Sequence, residues 1–397
     1  MAEYDRRPDD LLDELQDAHP SDVLAVVSRH LQRTAGATEV RLLLADYSEL
    51  SMEQLDDRGE LHVAEPVPIE TSTPGQSYWT QQTLVTEGID GIEVHVPVTL
   101  RADRIGVLQV GLPARPTRAE IDHFEHVGST LAYVVTAARR FTDLFERSRR
   151  RVDLELAAEI QWELLPVLAY DSDAFSLAGF IEPAYRVGGD NFDYAVGRET
   201  ITLSVADAKG HGLRAALLSA LAVTATRNAR RRGRVIGEQA VAANQALDEQ
   251  FGDEDFVTAL LLRVEYATGV VGAVNAGHPP ALLLRNEQIL ELRLAPSPPL
   301  GMFADSDYGE QPFELQPRDR LLLITDGLLE TVPSRGGQPF GMEGIVRIAE
   351  TTRELPPPAV VRRATREVVV YRAGELRDDL TVVCFDWRGS LTTREHF

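Results

Sequence analysis

Four apolar stretches in this sequence each carry an aspartate at one tip, and that recurrence restricts the available folds more than any bulk property does. The clearest is Thr202-Leu203-Ser204-Val205-Ala206, which reads as a buried strand. It is followed by Asp207-Ala208-Lys209-Gly210-His211-Gly212 and then by Leu213 to Thr226, apolar and alanine-rich enough for a helix. Gly210 and Gly212 let the backbone turn sharply and approach a ligand closely, which a carboxylate holding a hydrated cation needs. The other three are Asp190 after Val187-Gly188-Gly189, Asp326 after Leu321-Leu322-Leu323-Ile324-Thr325, and Asp379 before Leu380-Thr381-Val382-Val383. One strand-tip aspartate is an ordinary turn or cap residue. Four at equivalent places point to a shared site.

At 397 residues the chain exceeds one ordinary core, so two domains are expected. Its 44% apolar and 26% charged residues are those of a globular protein. A formal charge of −22 argues against nucleic acid as a partner, because the phosphate backbone repels it. The single cysteine, Cys384, falls in an expected strand and allows no intramolecular disulfide, which fits a reducing compartment. No run approaches the ~18 apolar residues of a membrane span, and the start of the chain does not read as a signal peptide, so a cytoplasmic location is expected. Of 40 Lys plus Arg residues only Lys209 is a lysine, and it lies inside the central motif, where a compact ammonium differs chemically from a guanidinium fork.

Residues 1–20 form an acidic segment. A helix from Ser21 or Asp22 to Gly36 carries Val23, Leu24, Val26, Val27 and Leu31 at helical spacing. Strands follow at Val40–Ala45, near Leu61–Ile69 and Tyr78–Val85, and in a hairpin of Ile92–Leu100 and Arg104–Leu112 turning at Ala102-Asp103. This order predicts an α+β sensor-like domain over 21–140, and it resembles a GAF domain. Val127, Leu131, Val134, Ala138, Phe141, Phe145, Ser148 and Val152 alternate steps of four and three, with no Gly or Pro between Ser129 and Leu165. The spacing predicts a rigid helical linker over 141–166, continuous with the preceding helix, that could pair with a second copy as a coiled coil in a homodimer. From 167 to 388 strands outnumber helices and the helices come in two pairs, Leu213–Arg230 with Val235–Phe251 and Met342–Thr352 with Ala359–Tyr371. Two packed sheets with helices outside, an α-β-β-α sandwich, is the expected architecture. Residues 389–397 are a tail.

Eight phrases then occur in an order that resembles the metal-dependent PPM-type protein serine/threonine phosphatases, most closely the SpoIIE and sigma-B-regulator branch. They are Ala158-Glu159-Ile160-Gln161 with Leu164-Leu165-Pro166, Val187-Gly188-Gly189-Asp190 with Asp193, Ala206-Asp207 through Gly210-His211-Gly212, Phe256-Val257-Thr258-Ala259, Asn275-Ala276-Gly277-His278-Pro279-Pro280, Pro299-Leu300-Gly301, Thr325-Asp326-Gly327 and Asp378-Asp379-Leu380-Thr381. The resemblance implies that Asp190, Asp207, Asp326 and Asp379, with the Ala208 carbonyl, hold two Mn²⁺ or Mg²⁺ ions. Such oxygen ligands suit hard cations, and a cation pair can activate water and clamp an in-line attack on phosphorus. It further implies that Asp193 and Asp378 orient waters or ligands, and that a phosphorylated anti-anti-sigma-like protein is the substrate, with an unidentified input to the sensor. His211 is a candidate proton donor, Arg186 a candidate phosphate ligand, and His278 reads as a turn-stabilising histidine. Where the family usually has Gly after the acid, this chain has Ala208, tolerable because the ligand is a carbonyl. Two other readings are a catalytically silent module of the same fold and a different two-metal hydrolase such as a nuclease, the latter disfavoured by charge.

Overall fold

A computed structural model describes residues 10–55, 65–88, 91–183, 185, 188–252, 254–376 and 378–389. Arg186, Val187 and Arg377, residues 61–64 of the strand expected near 61–69, residues 1–9 of the acidic first segment and residues 390–397 of the tail lie outside the described residues. The chain divides between Asp153 and Leu154 into two compact units.

The first unit contains helices α1 (Asp10–Asp17) and α2 (Val23–Ala35), then strands β1 (Glu39–Ala45), β2 (Ser51–Leu55) and β3 (Val67–Pro68). Helix α3 (Thr73–Thr80), strands β4 (Leu84–Gly88), β5 (Gly91–Leu100) and β6 (Asp103–Leu112), and helices α4 (Arg118–Ala138) and α5 (Leu144–Ser148) follow. The sheet is antiparallel in the order β3-β2-β1-β6-β5-β4. Leu11 and Leu15 of α1 join the core that α2 and α4 make with one face, so described residues of the acidic segment belong to this unit. Tyr78 of α3 packs with Leu43, Met52 and Val107 on the other face.

Two expectations fail here. Tyr78–Val85 is not one strand: Ser72 accepts a hydrogen bond from the Gly75 N–H, and Pro74 sits in the first turn, so this stretch opens as α3. The helix expected to run unbroken through the linker is three helices. Helix α4 ends at Ala138, and α5 is held by Phe145, 1% exposed, and by a carboxylate at Glu146 that bonds both Tyr47 and Arg139. Val127, Leu131 and Ala138 of the supposed seam are buried in the unit's own core, while Phe141 is 79% exposed. Phe145 and Ser148 of that seam are buried as well, and Phe141 and Val152 are the members left exposed.

The second unit opens with α6 (Leu156–Leu164), then β7 (Ala169–Asp171), β8 (Phe175–Glu182), β9 (Asp190–Val196), β10 (Thr200–Ala208), α7 (Leu213–Arg231) and α8 (Ile236–Phe251). It continues through β11 (Val257–Glu265), β12 (Val270–Ala276), β13 (Leu282–Arg285), β14 (Gln288–Glu291), β15 (Gln311–Glu314) and β16 (Arg320–Ile324). Helices α9 (Asp326–Glu330), α10 (Gly341–Thr351) and α11 (Pro357–Arg372) precede β17 (Leu380–Trp387). One sheet runs β15-β12-β11-β10-β9 and the other β14-β13-β16-β17-β8-β7. Strand alternation gives each sheet two apolar faces. Phe192, Leu203 and Leu262 meet Leu177, Leu323 and Phe385 between the sheets. Ala206, Ala208 and Leu261 face Leu218 and Leu247 of α7 and α8 outside. Helix α11 covers β8 and β17 on the opposite side. The sheets approach so closely at Gly179 that a Cβ there would lie 2.5 Å from the Phe192 ring. The α-β-β-α layering expected from the sequence is the observed one.

Candidate active site

The aspartates gather where the inter-sheet layer ends. In β10, Ile201, Leu203 and Val205 point between the sheets, so the pleat sends Asp207 the same way, and antiparallel register sets Asp190 of β9 directly opposite it. From the other sheet, β16 delivers Thr325 and then Asp326 at the start of α9, while Asp379 immediately precedes β17. Gly327 makes this junction feasible, since a Cβ there would lie 2.0 Å from the Asp379 carbonyl oxygen.

Buried hydrogen bonds fix these carboxylates. Thr325 Oγ1 donates to Asp190 Oδ2 at 2.7 Å and Thr381 Oγ1 to the same oxygen at 2.6 Å. Asp379 Oδ2 accepts from the Gly189 N–H at 2.9 Å, the Asp190 N–H at 3.2 Å and Gln161 Nε2 at 3.0 Å. Gln161, in α6, also donates to the Asp190 carbonyl at 2.7 Å.

Electrostatically the cluster is under like-charge pressure. Burial, then Asp207 and Asp379, drives the Asp190 pKa well above the ordinary range against the two threonine hydrogen bonds. Burial, with Asp326 and Asp378 beside it, pushes Asp207 up to about 8. Asp379 rises to about 6 through burial, opposed by its backbone donors and Gln161. Desolvation raises Asp378 as well, and His211, exposed at the mouth, opposes that. Side chains arranged this way do not surround a common point, and among the described residues no group of three or more His, Cys, Asp or Glu is set around an ion position.

The donor chemistry nevertheless fits hard divalent cations. All the groups are oxygen donors, Asp379 Oδ1 is buried with no hydrogen-bond partner, and among the described residues no Lys or Arg forms an ion pair with the four aspartates. Gly189 leaves room beside two carbonyls: a Cβ there would sit 3.0 Å from the Ala208 oxygen and 3.4 Å from that of Gly210. Carboxyl groups forced toward protonation by burial and by one another are those that a cation would return to the ionised form.

Asp190, Asp207, Asp326, Asp379, Asp378, His211 and the Ala208 backbone come together at this end. Asp193 does not. It projects from the other face of β9 and pairs with Arg227 at 2.7 Å and Arg230 at 2.9 Å, both on α7. Lys209 also turns away, donating to the Glu254 carbonyl at 2.6 Å and lying 5.4 Å from the centre of the Phe256 ring. Sequence reasoning assigned no role to Thr325, Thr381 or Gln161. The two threonines carry a readable signal, since Thr381 shares a strand face with Asp379 and Thr325 ends the inward face of β16.

Residues 197–388 match the family model for stage II sporulation protein E, SpoIIE. The chain is 28% identical over 193 residues to the phosphoserine phosphatase RsbP of Bacillus subtilis (strain 168), covering 46% of each. It is 23% identical over 186 residues to the phosphoserine phosphatase RsbU of the same organism, covering 46% of this chain and 55% of the relative. It spans about half the length of these curated relatives. The solved SiaA-PP2C domain of Pseudomonas aeruginosa superposes with a TM-score of 0.50 at 22% identity over 58% of this chain and 94% of that one, a likeness of fold. The C-terminal half of this chain is therefore similar to the SpoIIE family and to the phosphoserine phosphatases RsbP and RsbU.

Proposed function

We propose that this chain is a metal-dependent phosphoserine/phosphothreonine protein phosphatase. The observation that carries the reading is the meeting of Asp190, Asp207, Asp326 and Asp379, distant in sequence, at one end of the inter-sheet layer of a domain related to phosphoserine phosphatases. Asp190, Asp207, Asp326 and Asp379, with the Ala208 carbonyl, would hold two Mn²⁺ or Mg²⁺ ions. When bound, those ions supply the positive charge that polarises a phosphoryl group and activates water. Asp378, at the mouth, orients groups entering the cluster, and His211 beside it is placed to give a proton to the departing serine or threonine oxygen. No side chain acts as a covalent nucleophile in this reading, consistent with Cys384 being buried within β17.

The substrate class implied by resemblance is a phosphorylated anti-anti-sigma-like protein. The N-terminal unit, a six-stranded antiparallel sheet with helices on both faces, serves as a GAF-like sensor that sets activity. Among the described residues no helix is long and apolar enough to cross a membrane. Hydrolysis of a phosphoserine peptide with Mn²⁺ should be abolished by chelator and fall at least about a hundredfold in Asp326→Asn. Turnover that survives chelation, or an unimpaired Asp326→Asn, would contradict the proposal. A chain that binds Mn²⁺ but hydrolyses no phosphoester would favour the catalytically silent module.

A further inference from the structure

Building on the cation-site reading, we infer that Thr325, Thr381 and Gln161 are positioning residues that select which oxygen of Asp190 and of Asp379 faces the cations. The hydrogen bonds are one-sided. Both threonine hydroxyls donate to Oδ2 of Asp190, and Gln161 with the Gly189 and Asp190 N–H groups donates to Oδ2 of Asp379. Oδ1 of Asp379 is buried and receives nothing. A carboxylate held by two or three bonds on one oxygen cannot rotate freely, so its other oxygen presents in one direction only.

The donors' own geometry makes the arrangement directional. The Thr381 N–H donates to Thr325 Oγ1 at 3.0 Å, which occupies a lone pair and leaves that hydroxyl proton for Asp190. Gln161 uses its amide nitrogen on both the Asp379 carboxylate and the Asp190 carbonyl, tying the two acids to one side chain. Thr325 and Thr381 are 0% exposed and Gln161 3%, so water does not compete. All three are neutral. A lysine or arginine in their place would hold the carboxylates equally well but would repel the incoming cations. Hydroxyl and amide donors orient the acids and leave their negative charge available. Each comes from a different place, the end of β16, the face of β17 and helix α6, so the orientation depends on the assembled sandwich.

Calorimetric titration of the full chain with Mn²⁺ tests this, with melting in chelator measured in parallel. Thr381→Val and Thr325→Val, which keep shape and remove the hydroxyl, should each raise the Mn²⁺ dissociation constant about tenfold or more, the effect typical of groups behind a metal ligand. Thr381→Ser should restore it to within about threefold of the unsubstituted chain. Valine variants that melt lower in chelator yet bind Mn²⁺ as tightly as the unsubstituted chain would make the hydroxyls merely structural and overturn the inference. If Thr381→Val does not fold, Gln161→Leu provides the same comparison on Asp379. An unsubstituted chain that binds no Mn²⁺ would instead remove the cation-site reading itself, a failure recognisable before any variant is made.

Discussion

At the turn after β12, the His278 N–H donates to Asn275 Oδ1 at 2.8 Å, Asn275 Nδ2 donates back to the His278 carbonyl at 3.0 Å, and imidazole Nδ1 lies 3.0 Å from Thr258 Oγ1. Burial pushes the His278 pKa down to about 4 from an ordinary value near 6.5, and the nearby Ile324 carbonyl opposes this only in part. Between those values the unfolded chain binds the proton and the folded chain does not. Stability from this residue is therefore complete above the unfolded pKa and declines as pH falls toward the folded one. Urea unfolding should show a loss of about 2 kcal/mol between pH 7 and pH 5 from this group. His278→Gln should flatten that slope, and an unchanged acid limb would count against the assignment. The turn role was legible from the neighbouring prolines, and the burial that sets the pKa was not. Lys209 shows the opposite case. Its uniqueness drew attention as a charge near the site, but its ammonium caps the Glu254 carbonyl on the neighbouring loop, a contact invisible to composition.

Strand alternation decides the roles of neighbouring acids at the scale of elements. Asp190 and Asp193 are three apart in one strand, so the period of two puts them on opposite faces. The first enters the inter-sheet cluster and the second anchors α7 through Arg227 and Arg230. Grouping Asp193 with Asp378 from the sequence overlooked that parity, although it was available. Asp193→Asn leaves two largely buried guanidinium groups underpaired and should destabilise the fold by about 2–4 kcal/mol. Mn²⁺ affinity in the same variant should stay within about twofold of the unsubstituted chain, since the site lies across the sheet. A collapse of metal binding without loss of stability would return Asp193 to the site. The helical seam erred for a different reason. Heptad spacing specifies an apolar stripe but not its partner, and the stripe of α4 packs on its own sheet. Nothing in the local sequence marks the break at Ala138, because the carboxylate that holds α5 pairs with Tyr47, 99 residues earlier.

Among the described residues each unit has an apolar core of its own, one closed by α2 and α4 on the first sheet and the others by the sandwich and its helices. A fragment spanning 154–397 should fold alone and keep its Mn²⁺ response. Saturation at about a hundred times the dissociation constant should stabilise it by about 2.7 kcal/mol. Calorimetry of that fragment with and without Mn²⁺ checks this, and failure to fold would show that the first unit is required for its stability. Local apolar periodicity and turn residues were enough to place most strands and helices of the second unit, the α-β-β-α layering, and the four acids at strand tips, because these follow from the chain's own spacing. They could not decide that Thr325, Thr381 and Gln161 would converge on two of those acids, that Asp193 would face α7, or that α4 would stop where it does. Those outcomes depend on which side chains from remote segments meet once the sheets close, and that is a property of packing in three dimensions.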